Sequence, residues 1–118
     1  MNSLLKNNYV LVNLVYKLYV MYIVRDIFQL KFGHYKDAKA LLDEATRNNM
    51  LPETQSHRIL SDFTGDAYRL IMEHGYNTLA DFEQSLTGSM HKDEWQQWYA
   101  KFRDHVESSH REILKQVV

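Results

Sequence analysis

Charged side chains on two predicted strands are the residues most able to do chemistry. Arg25 lies in the first strand, and Arg69 and Glu73 lie on one side of a later strand, because alternate residues of a strand point the same way. Brought together with Arg58 or Asp62 from the neighbouring strand, the arginines would hold an anionic or enolate oxygen while the carboxylate moves a proton. An ion-pair network that fixes a dimer interface is the alternative, and we favour it because structural pairs produce the same pattern.

The histidines raise the question of a metal or haem site. There are six: His34, His57, His74, His91, His105 and His110. Metal sites on helices pair ligands about one turn apart, and the nearest approach is His91 with Glu94, at a predicted helix start where polar residues cap. We therefore interpret the histidines as surface residues and expect no metal and no cofactor. His74, with apolar neighbours on its strand, is the best candidate for a haem ligand, although a histidine bonded to the backbone is the favoured interpretation.

An aromatic stripe runs along one predicted helix near the C-terminus. Trp95, Trp98, Tyr99, Phe102 and Val106 recur at intervals of three and four residues, which places them on one side of the helix. This periodicity predicts that the helix packs on an apolar layer. We therefore interpret the stripe as part of the hydrophobic core rather than as a cofactor site. The sequence has no glycine-rich phosphate loop, serine nucleophile elbow or paired-carboxylate motif.

Length and composition limit the possible classes of protein. A chain of 118 residues is long enough for one domain with its own core. It has no cysteine, which excludes disulfides, thiolate metal sites and a cysteine nucleophile, and an intracellular, cytoplasmic protein is the default. The net charge is −1 with acids and bases interspersed, so a nucleic-acid partner is not expected.

Residues 1–20 differ in composition from the rest, with no acidic residue and no glycine. Lys17 interrupts the apolar run, and Arg25 with Asp26 blocks its extension, so neither a signal peptide nor a membrane span is predicted. We expect an N-terminal extension outside a domain that covers residues 21–118. The alternative is an amphipathic arm that docks on a partner subunit through Leu11, Leu14, Val15 and Leu18.

The remaining pattern predicts an α+β protein with the ferredoxin-like order βαββαβ and a four-stranded antiparallel sheet. The predicted elements begin with a strand from Met21 to Leu30 and a helix that starts at Tyr35 and is closed by Asn48-Asn49. Strands His57–Phe63 and Ala67–Tyr76 follow, joined by the turn Thr64-Gly65-Asp66. The last elements are a helix capped by Asn77-Thr78 with Leu79, Phe82 and Leu86 inward, the aromatic helix, and a final strand. The helices would cover one face of this sheet.

The second face of that sheet would mix apolar and charged side chains. Ile23, Ile27 and Ile71 would lie there beside Arg25, Gln29, Arg69 and Glu73. Such a face is too apolar to be left exposed to solvent and too charged to be buried in a purely apolar core. A homodimer in which two sheets pack face to face would enclose it.

Several stretches resemble the NIPSNAP-like domains of the dimeric α+β barrel superfamily. They are Leu30-Lys31-Phe32-Gly33, which is similar to the family's Leu-Lys-Pro-Gly turn, and the segments from Met72 to Phe82, from Asp93 to Arg103 and from Ser108 to Leu114. Two positions depart from the family pattern: Phe32 replaces the usual proline, and Asp26 stands where a basic residue is common. The resemblance covers residues 21–118 and implies this fold and homodimerisation.

The wider superfamily includes haem-binding proteins, cofactor-independent monooxygenases, muconate or small-lactone enzymes and members without an assigned activity. Our first hypothesis is therefore an uncharacterised, NIPSNAP-like small homodimer that binds a small ligand in the barrel or in a cavity between sheet and helices. Arg25, Arg69, Glu73 and His74 are the candidate ligand-binding residues, and no catalytic residue is predicted. The alternatives are a cofactor-independent monooxygenase or isomerase of small aromatic or quinone-like substrates, and haem binding.

Overall fold

The computed structural model describes residues 7–8, 21–51, 54, 56–87 and 92–118. The predicted N-terminal extension and its alternative, the amphipathic arm, thus fall almost wholly outside the described residues, as does His91. The division at residue 20 stays a prediction.

The described chain has the order βαββααβ. Its elements are β1 (Tyr22–Leu30), α1 (Tyr35–Arg47), β2 (Ser56–Ser61), β3 (Arg69–Tyr76), α2 (Leu79–Thr87), α3 (Lys92–Arg103) and β4 (Val106–Lys115). The four strands form one antiparallel sheet in the order β2-β3-β1-β4. This is the predicted α+β, ferredoxin-like arrangement.

The strand register decides which side chains share a face. Val24 of β1 lies opposite His74 of β3 and Ile113 of β4, so these three residues point to the same side. Arg25 lies opposite Glu73 and Glu112 and points to the other side. The alternation that the sequence indicated for β1 and β3 is therefore present.

The hydrophobic core lies between helices α1 and α3 and the face of the sheet that carries Val24. Its buried members are Phe28, Leu30, Ala38, Leu42, Ala45, Leu70, Met72, Trp98 and Phe102. Each strand residue of this cluster lies on the face that carries Val24, and none comes from the face that carries Arg25. We call the face that carries Arg25 the open face of the sheet.

Helix α1 forms because Ala38, Leu42 and Ala45 recur every three or four residues and are all buried. The helix stops where Asn49 takes a left-handed conformation, with φ of 52°, which asparagine tolerates better than most residues. The amide of Met50 then donates a hydrogen bond to the carbonyl of Ala45 (2.9 Å). The predicted stop at Asn48-Asn49 is confirmed.

The connection between β2 and β3 differs from the prediction. A three-residue turn at Thr64-Gly65-Asp66 was expected, but the strands end at Ser61 and resume at Arg69, which leaves a seven-residue loop, 62–68. Ala67 and Tyr68 both have left-handed φ angles, 61° and 57°, which an extended strand excludes. The loop is nevertheless bonded to β1, because the Leu30 amide donates to the Tyr68 carbonyl (2.8 Å).

Helix α2 also packs differently from the prediction. Leu79 and Leu86, expected inside, are 48% and 55% exposed, and only Phe82 of the three is half-buried. The predicted cap is present, since the Thr78 hydroxyl accepts a hydrogen bond from the Asp81 amide (3.1 Å). The helix contacts β3 through Phe82, whose ring centre lies 5.5 Å from that of Tyr76, and through Ser85, whose hydroxyl is hydrogen-bonded to the Tyr76 hydroxyl (3.1 Å). Among the described residues, no helix is both long enough and apolar enough to cross a membrane.

Candidate functional site

A cleft lies between helix α3 and the helix-covered face of the sheet. Its volume is about 270 Å³. It is lined by Asp26, Phe28, Met72, Trp95, Trp98, Tyr99, Phe102, Ser109, His110 and Arg111. We call it the aromatic cleft. Ligand sites in proteins are usually apolar concavities with a few polar groups, and pockets for drug-sized molecules measure about 300–1,000 Å³, so this cleft suits a smaller ligand of one or two rings.

Helix α3 supplies most of the aromatic wall. Trp98 is 3% exposed, and its indole nitrogen donates a hydrogen bond to the carbonyl of Leu41 in α1 (2.7 Å), which fixes the ring. Trp95 stacks on Trp98 with ring centres 5.0 Å apart, and Trp98 stacks on Phe102 at 5.1 Å. The three rings form a continuous, rigid surface. Trp95 is only half-buried, so part of this surface remains accessible from the cleft.

An ion pair contributes the charged part of the lining. Asp26 of β1 lies opposite Arg111 of β4, and Nε of Arg111 donates to Oδ1 of Asp26 at 2.6 Å. The Arg111 guanidinium also lies 5.3 Å from the centre of the Phe82 ring, a cation–π distance that links the cleft to α2. The carboxylate has a second oxygen that can accept a hydrogen bond, and the guanidinium has further N–H groups that can donate. A hydroxyl or an anionic group on a ring could use either.

His74 is close to this site but is not part of the lining. Its residue exposure is 4%, and its ring lies beside that of His57 on β2, with centres 5.0 Å apart. Burial, reinforced by the charge of His57, lowers the pKa of His74 from 6.5 to about 4, so the ring is neutral at physiological pH. Its buried Nδ1 has no hydrogen-bond partner within the described part of the chain.

The position of His74 does not suit a haem ligand. Axial ligation needs an imidazole nitrogen at the wall of a cavity that admits the macrocycle. His74 is buried and is absent from the lining of the cleft, whose volume of about 270 Å³ fits one or two rings. Within residues 21–51, 54, 56–87 and 92–118, no group of three or more His, Cys, Asp or Glu side chains is arranged to hold a metal ion.

The other predicted site residues lie on the open face. Glu73 is 5% exposed and sits between two arginines from the strands on either side. Its Oε2 accepts hydrogen bonds from Nε and Nη2 of Arg25 (3.0 and 2.8 Å), and its Oε1 accepts one from Nη2 of Arg58 (2.6 Å). Burial alone would raise the pKa of Glu73, but the bonds from Arg58 and Arg25 outweigh it and hold the pKa below 4.5. Glu73 is therefore a stable carboxylate with both oxygens engaged.

Arg69 does not join that cluster. Its Nη2 lies 2.9 Å from Oδ1 of Asp62, and its Nε donates to both oxygens of the same carboxylate (3.0 and 3.2 Å). This pair fastens β3 to the start of loop 62–68. The structure therefore brings Arg25, Arg58 and Glu73 together and places Arg69 with Asp62, while His74 lies on the opposite face. The predicted residues make three separate groups.

Sequence reasoning did not select Asp26 and Arg111 as a site. A signal was present, because Asp26 interrupts an otherwise apolar row of alternate residues, Val24, Phe28 and Leu30, on a strand predicted to be buried. A charge in such a row needs a partner. The partner could not be identified from the sequence, since it depends on the register of β4, 85 residues further along the chain.

No protein-family model matches the sequence, and no curated protein matches it. Solved structures do match the fold. A NIPSNAP family protein from Agrobacterium tumefaciens is 20% identical, with a TM-score of 0.69, over 82% of this chain and 93% of that chain. A second NIPSNAP family protein from the same organism, of unknown function, is 15% identical, with a TM-score of 0.72, over 83% and 89%. A putative antibiotic biosynthesis monooxygenase from Chloroflexus aurantiacus is 16% identical, with a TM-score of 0.60, over 83% and 94%.

These matches and the topology define the chain as a ferredoxin-like α+β protein. Within that class it has the NIPSNAP-like fold that its sequence led us to expect, and the monooxygenase-like structures share it more weakly.

Proposed function

We propose that this protein binds a small, flat aromatic molecule in the aromatic cleft. The observation that carries the proposal is the composition of the cleft wall, in which stacked rings of Trp95, Trp98 and Phe102 face an ion pair between Asp26 and Arg111. Aromatic walls favour a planar ring, and the ion pair orients a hydroxyl or an acidic group on that ring. A two-ring phenol such as 2-naphthol has both features.

The chain offers a direct optical test, because its only two tryptophans both line the cleft. Titration of 2-naphthol should therefore change the intrinsic tryptophan fluorescence. The measured intensity is corrected for the light that the probe itself absorbs at the excitation wavelength. Naphthalene, which lacks the hydroxyl, should bind at least fivefold more weakly, since it cannot use the ion pair. Equal affinities for the two probes would contradict the role given to Asp26 and Arg111.

The second part of the proposal is a homodimer in which the open faces of two sheets pack together. The open face carries Ile23, Ile27 and Ile71, and it surrounds the largely buried Glu73 with arginines. Packing a second copy there would remove the half-buried Ile23 and Ile71 from water, complete the burial of Ile27, which is already only 7% exposed, and further dehydrate the ion-pair network. The cytoplasm is the compartment we propose, because the chain has no cysteine that would use an oxidising environment.

A cofactor-independent monooxygenase is a second candidate function. It is favoured by the fold shared with the putative antibiotic biosynthesis monooxygenase and by the carboxylate of Asp26 beside an aromatic wall, where it can accept a proton from a phenol or quinol. In such a reaction a substrate SH2 and O2 give SO and H2O, so the substrate supplies all four electrons that O2 accepts and the two protons of the water. Oxygen consumption with 1,4-naphthohydroquinone, corrected for its spontaneous oxidation, tests this. No increase over that background, or the same increase with Asp26→Asn, would count against it.

A further inference from the structure

Two histidines lie close together near the C-terminal end of α3. His34 immediately precedes α1, and His105 lies between α3 and β4. Their Nδ1 atoms are 2.9 Å apart, and their ring centres are 5.2 Å apart with a tilt of 56°. Although His34 occupies the N-cap position of α1, its side chain makes no capping hydrogen bond. Its ring is directed to His105 instead.

The backbone holds both rings in place. The Lys31 amide donates to the carbonyl of His105 (2.9 Å), and the His34 amide donates to the carbonyl of Lys31 (3.0 Å). The carbonyl of His34 accepts from Ala38, and the amide of His105 donates to Phe102, each at 3.0 Å. Each histidine is therefore anchored through both its amide and its carbonyl, and the two loops are bonded to each other. The rings meet without either loop having to move.

We propose that His34 and His105 form a binding site for a divalent transition-metal ion, with Zn²⁺ as the type case. Imidazole nitrogens bind Zn²⁺ at about 2.0–2.1 Å, so two of them on one tetrahedral ion lie about 3.3–3.4 Å apart. The observed separation of 2.9 Å is shorter than that value, so each Nδ1 must shift by a few tenths of an ångström. Each ring must also turn by about 35°, because the two nitrogens that now point at each other in a hydrogen bond have to point at an ion beside the line that joins them. When the ion is bound, the ring that donated the hydrogen bond carries its proton on Nε2 instead of Nδ1, so both Nδ1 atoms are free to bind the ion, and water completes the coordination.

The surroundings favour such an ion. Both histidines are half-buried, which leaves the metal a route from solvent. A neighbouring groove between α1 and α3 is lined by His105 with three carboxylates, Asp37, Glu44 and Asp104, and two cations, Arg47 and Lys101. The excess of negative charge attracts a cation. Imidazole ligands select Zn²⁺, Ni²⁺ or Cu²⁺ over Mg²⁺ and Ca²⁺, which prefer oxygen.

Isothermal titration calorimetry with ZnCl2 tests the site, with MgCl2 as the second cation. The variant His34→Asn removes one imidazole and places a favourable N-cap residue at the start of α1, so it should fold. His105→Gln removes the other imidazole. We expect a micromolar dissociation constant for Zn²⁺ in the unaltered chain, at least tenfold weaker binding in either variant, and no heat of binding with MgCl2.

The matched control is His57→Gln, because His57 and His74 are the other pair of histidine rings in contact in the described part of the chain. This variant should bind Zn²⁺ as the unaltered chain does. Loss of binding in His57→Gln with retention in His34→Asn would place the metal at the other pair and overturn the proposal. So would the absence of micromolar binding in the unaltered chain. Circular dichroism of each variant verifies that it is folded.

Discussion

Asp26 and Arg111 face each other across strands β1 and β4, and their side chains meet at 2.6 Å in the wall of the aromatic cleft. The side chain of Asp26 is 17% exposed and that of Arg111 is 43% exposed, so the carboxylate is largely shielded from solvent and the guanidinium is not. A ligand entering the cleft meets a carboxylate already fixed in place. That pre-organisation lowers the entropic cost of binding.

Replacing Asp26 tests this role. Asp26→Asn should weaken 2-naphthol binding roughly tenfold, because a hydrogen bond to a charged group contributes about 1.5–3 kcal/mol and the amide is a weaker acceptor. Asp43→Asn is the matched control, since Asp43 pairs with Lys39 on the exposed surface of α1 (3.0 Å). Fluorescence titration of both variants gives the comparison. Equal weakening by the two changes would remove Asp26 from the site.

The Glu73 cluster should stabilise the fold. Glu73→Gln is expected to lower the free energy of unfolding by about 1.5–3 kcal/mol, because it weakens charge-assisted bonds to Arg25 and Arg58 in a buried position. Glu112→Gln is the control, because Glu112 lies 4.0 Å from Arg25 and is more exposed, and its loss should cost about 0.5 kcal/mol or less. Urea denaturation measures both. A smaller effect at Glu73 than at Glu112 would contradict the structural role.

His74 should make stability depend on pH in a defined window. Its pKa is about 4 in the folded chain and 6.5 in the unfolded chain, so the unfolded state binds a proton first as the pH falls. The free energy of unfolding should be nearly constant above about pH 7.5 and should fall by about 2 kcal/mol between pH 7.5 and pH 5. Glu73 adds little to this loss: burial raises its pKa, the bonds from Arg58 and Arg25 lower it by more, and the stability contributed by such a lowered pKa is lost only as the pH falls below the ordinary value of 4.5.

The control for that window is the variant His74→Gln, which removes the titrating group. Urea denaturation at pH 7.5 and pH 5 should then give a difference smaller by about 2 kcal/mol than in the unaltered chain. His110→Gln, at an exposed position, should leave the difference unchanged. If the free energy of unfolding of His74→Gln falls as much between pH 7.5 and pH 5 as that of the unaltered chain, His74 is not the group responsible, and its ring is accessible to protons in the folded state.

The loop between β2 and β3 predicts a stabilising change. Ala67 has φ of 61°, a conformation in which a Cβ atom is strained and glycine is not. Ala67→Gly should therefore raise the free energy of unfolding by up to about 1 kcal/mol, less the extra entropy that glycine gives the unfolded chain. The opposite change, Gly65→Ala at φ of 123°, should destabilise by about 1 kcal/mol. Thermal denaturation separates the two signs, and a stabilised Gly65→Ala would be inconsistent with this loop geometry.

The proposed dimer makes a prediction of mass. Light scattering at micromolar concentration should give twice the chain mass of 14.1 kDa. Ile71→Arg, in the middle of the open face opposite Ile27, should reduce this to the mass of one chain, because it places an unpaired charge in the interface. Phe63→Asp removes a fully exposed aromatic residue from loop 62–68 and should leave the mass unchanged. A single-chain mass for the unaltered protein would contradict the dimer.

The sequence predicted the elements better than it predicted their contacts. Strands β1 and β3 and helices α1 and α3 were predicted because their apolar residues repeat at the period of each element, and the buried residues Val24, Phe28, Leu42, Trp98 and Phe102 follow that repeat. Periodicity reports which side of an element is apolar. It does not report which element lies opposite.

The errors lie where local patterns carry little information. Loop 62–68 was predicted too short, because residues before Arg69 have strand-like composition but Ala67 and Tyr68 adopt left-handed angles fixed by bonds to β1. Leu79 and Leu86 follow a helical repeat, yet within the described residues no neighbouring element covers them. The partner of Asp26 was missed for a related reason, since pairing between strands is set by the register of the whole sheet. Asp62 was among the residues expected near Arg69, but the separation of this pair from Arg25 and Glu73 was not predicted.

Calorimetric titration of 2-naphthol into a chain whose cleft is filled tests ligand binding most directly. Ser109 is an exposed residue of β4 in the cleft lining, opposite Phe28, so Ser109→Trp should fill the cleft and leave the core intact. Ser61→Trp, at an exposed position on β2 at the other edge of the sheet, is the matched control. We predict one 2-naphthol bound per chain in the unaltered protein and in Ser61→Trp, with at least tenfold weaker binding in Ser109→Trp. Equal binding by all three proteins, or binding by none, would contradict a ligand site in the aromatic cleft.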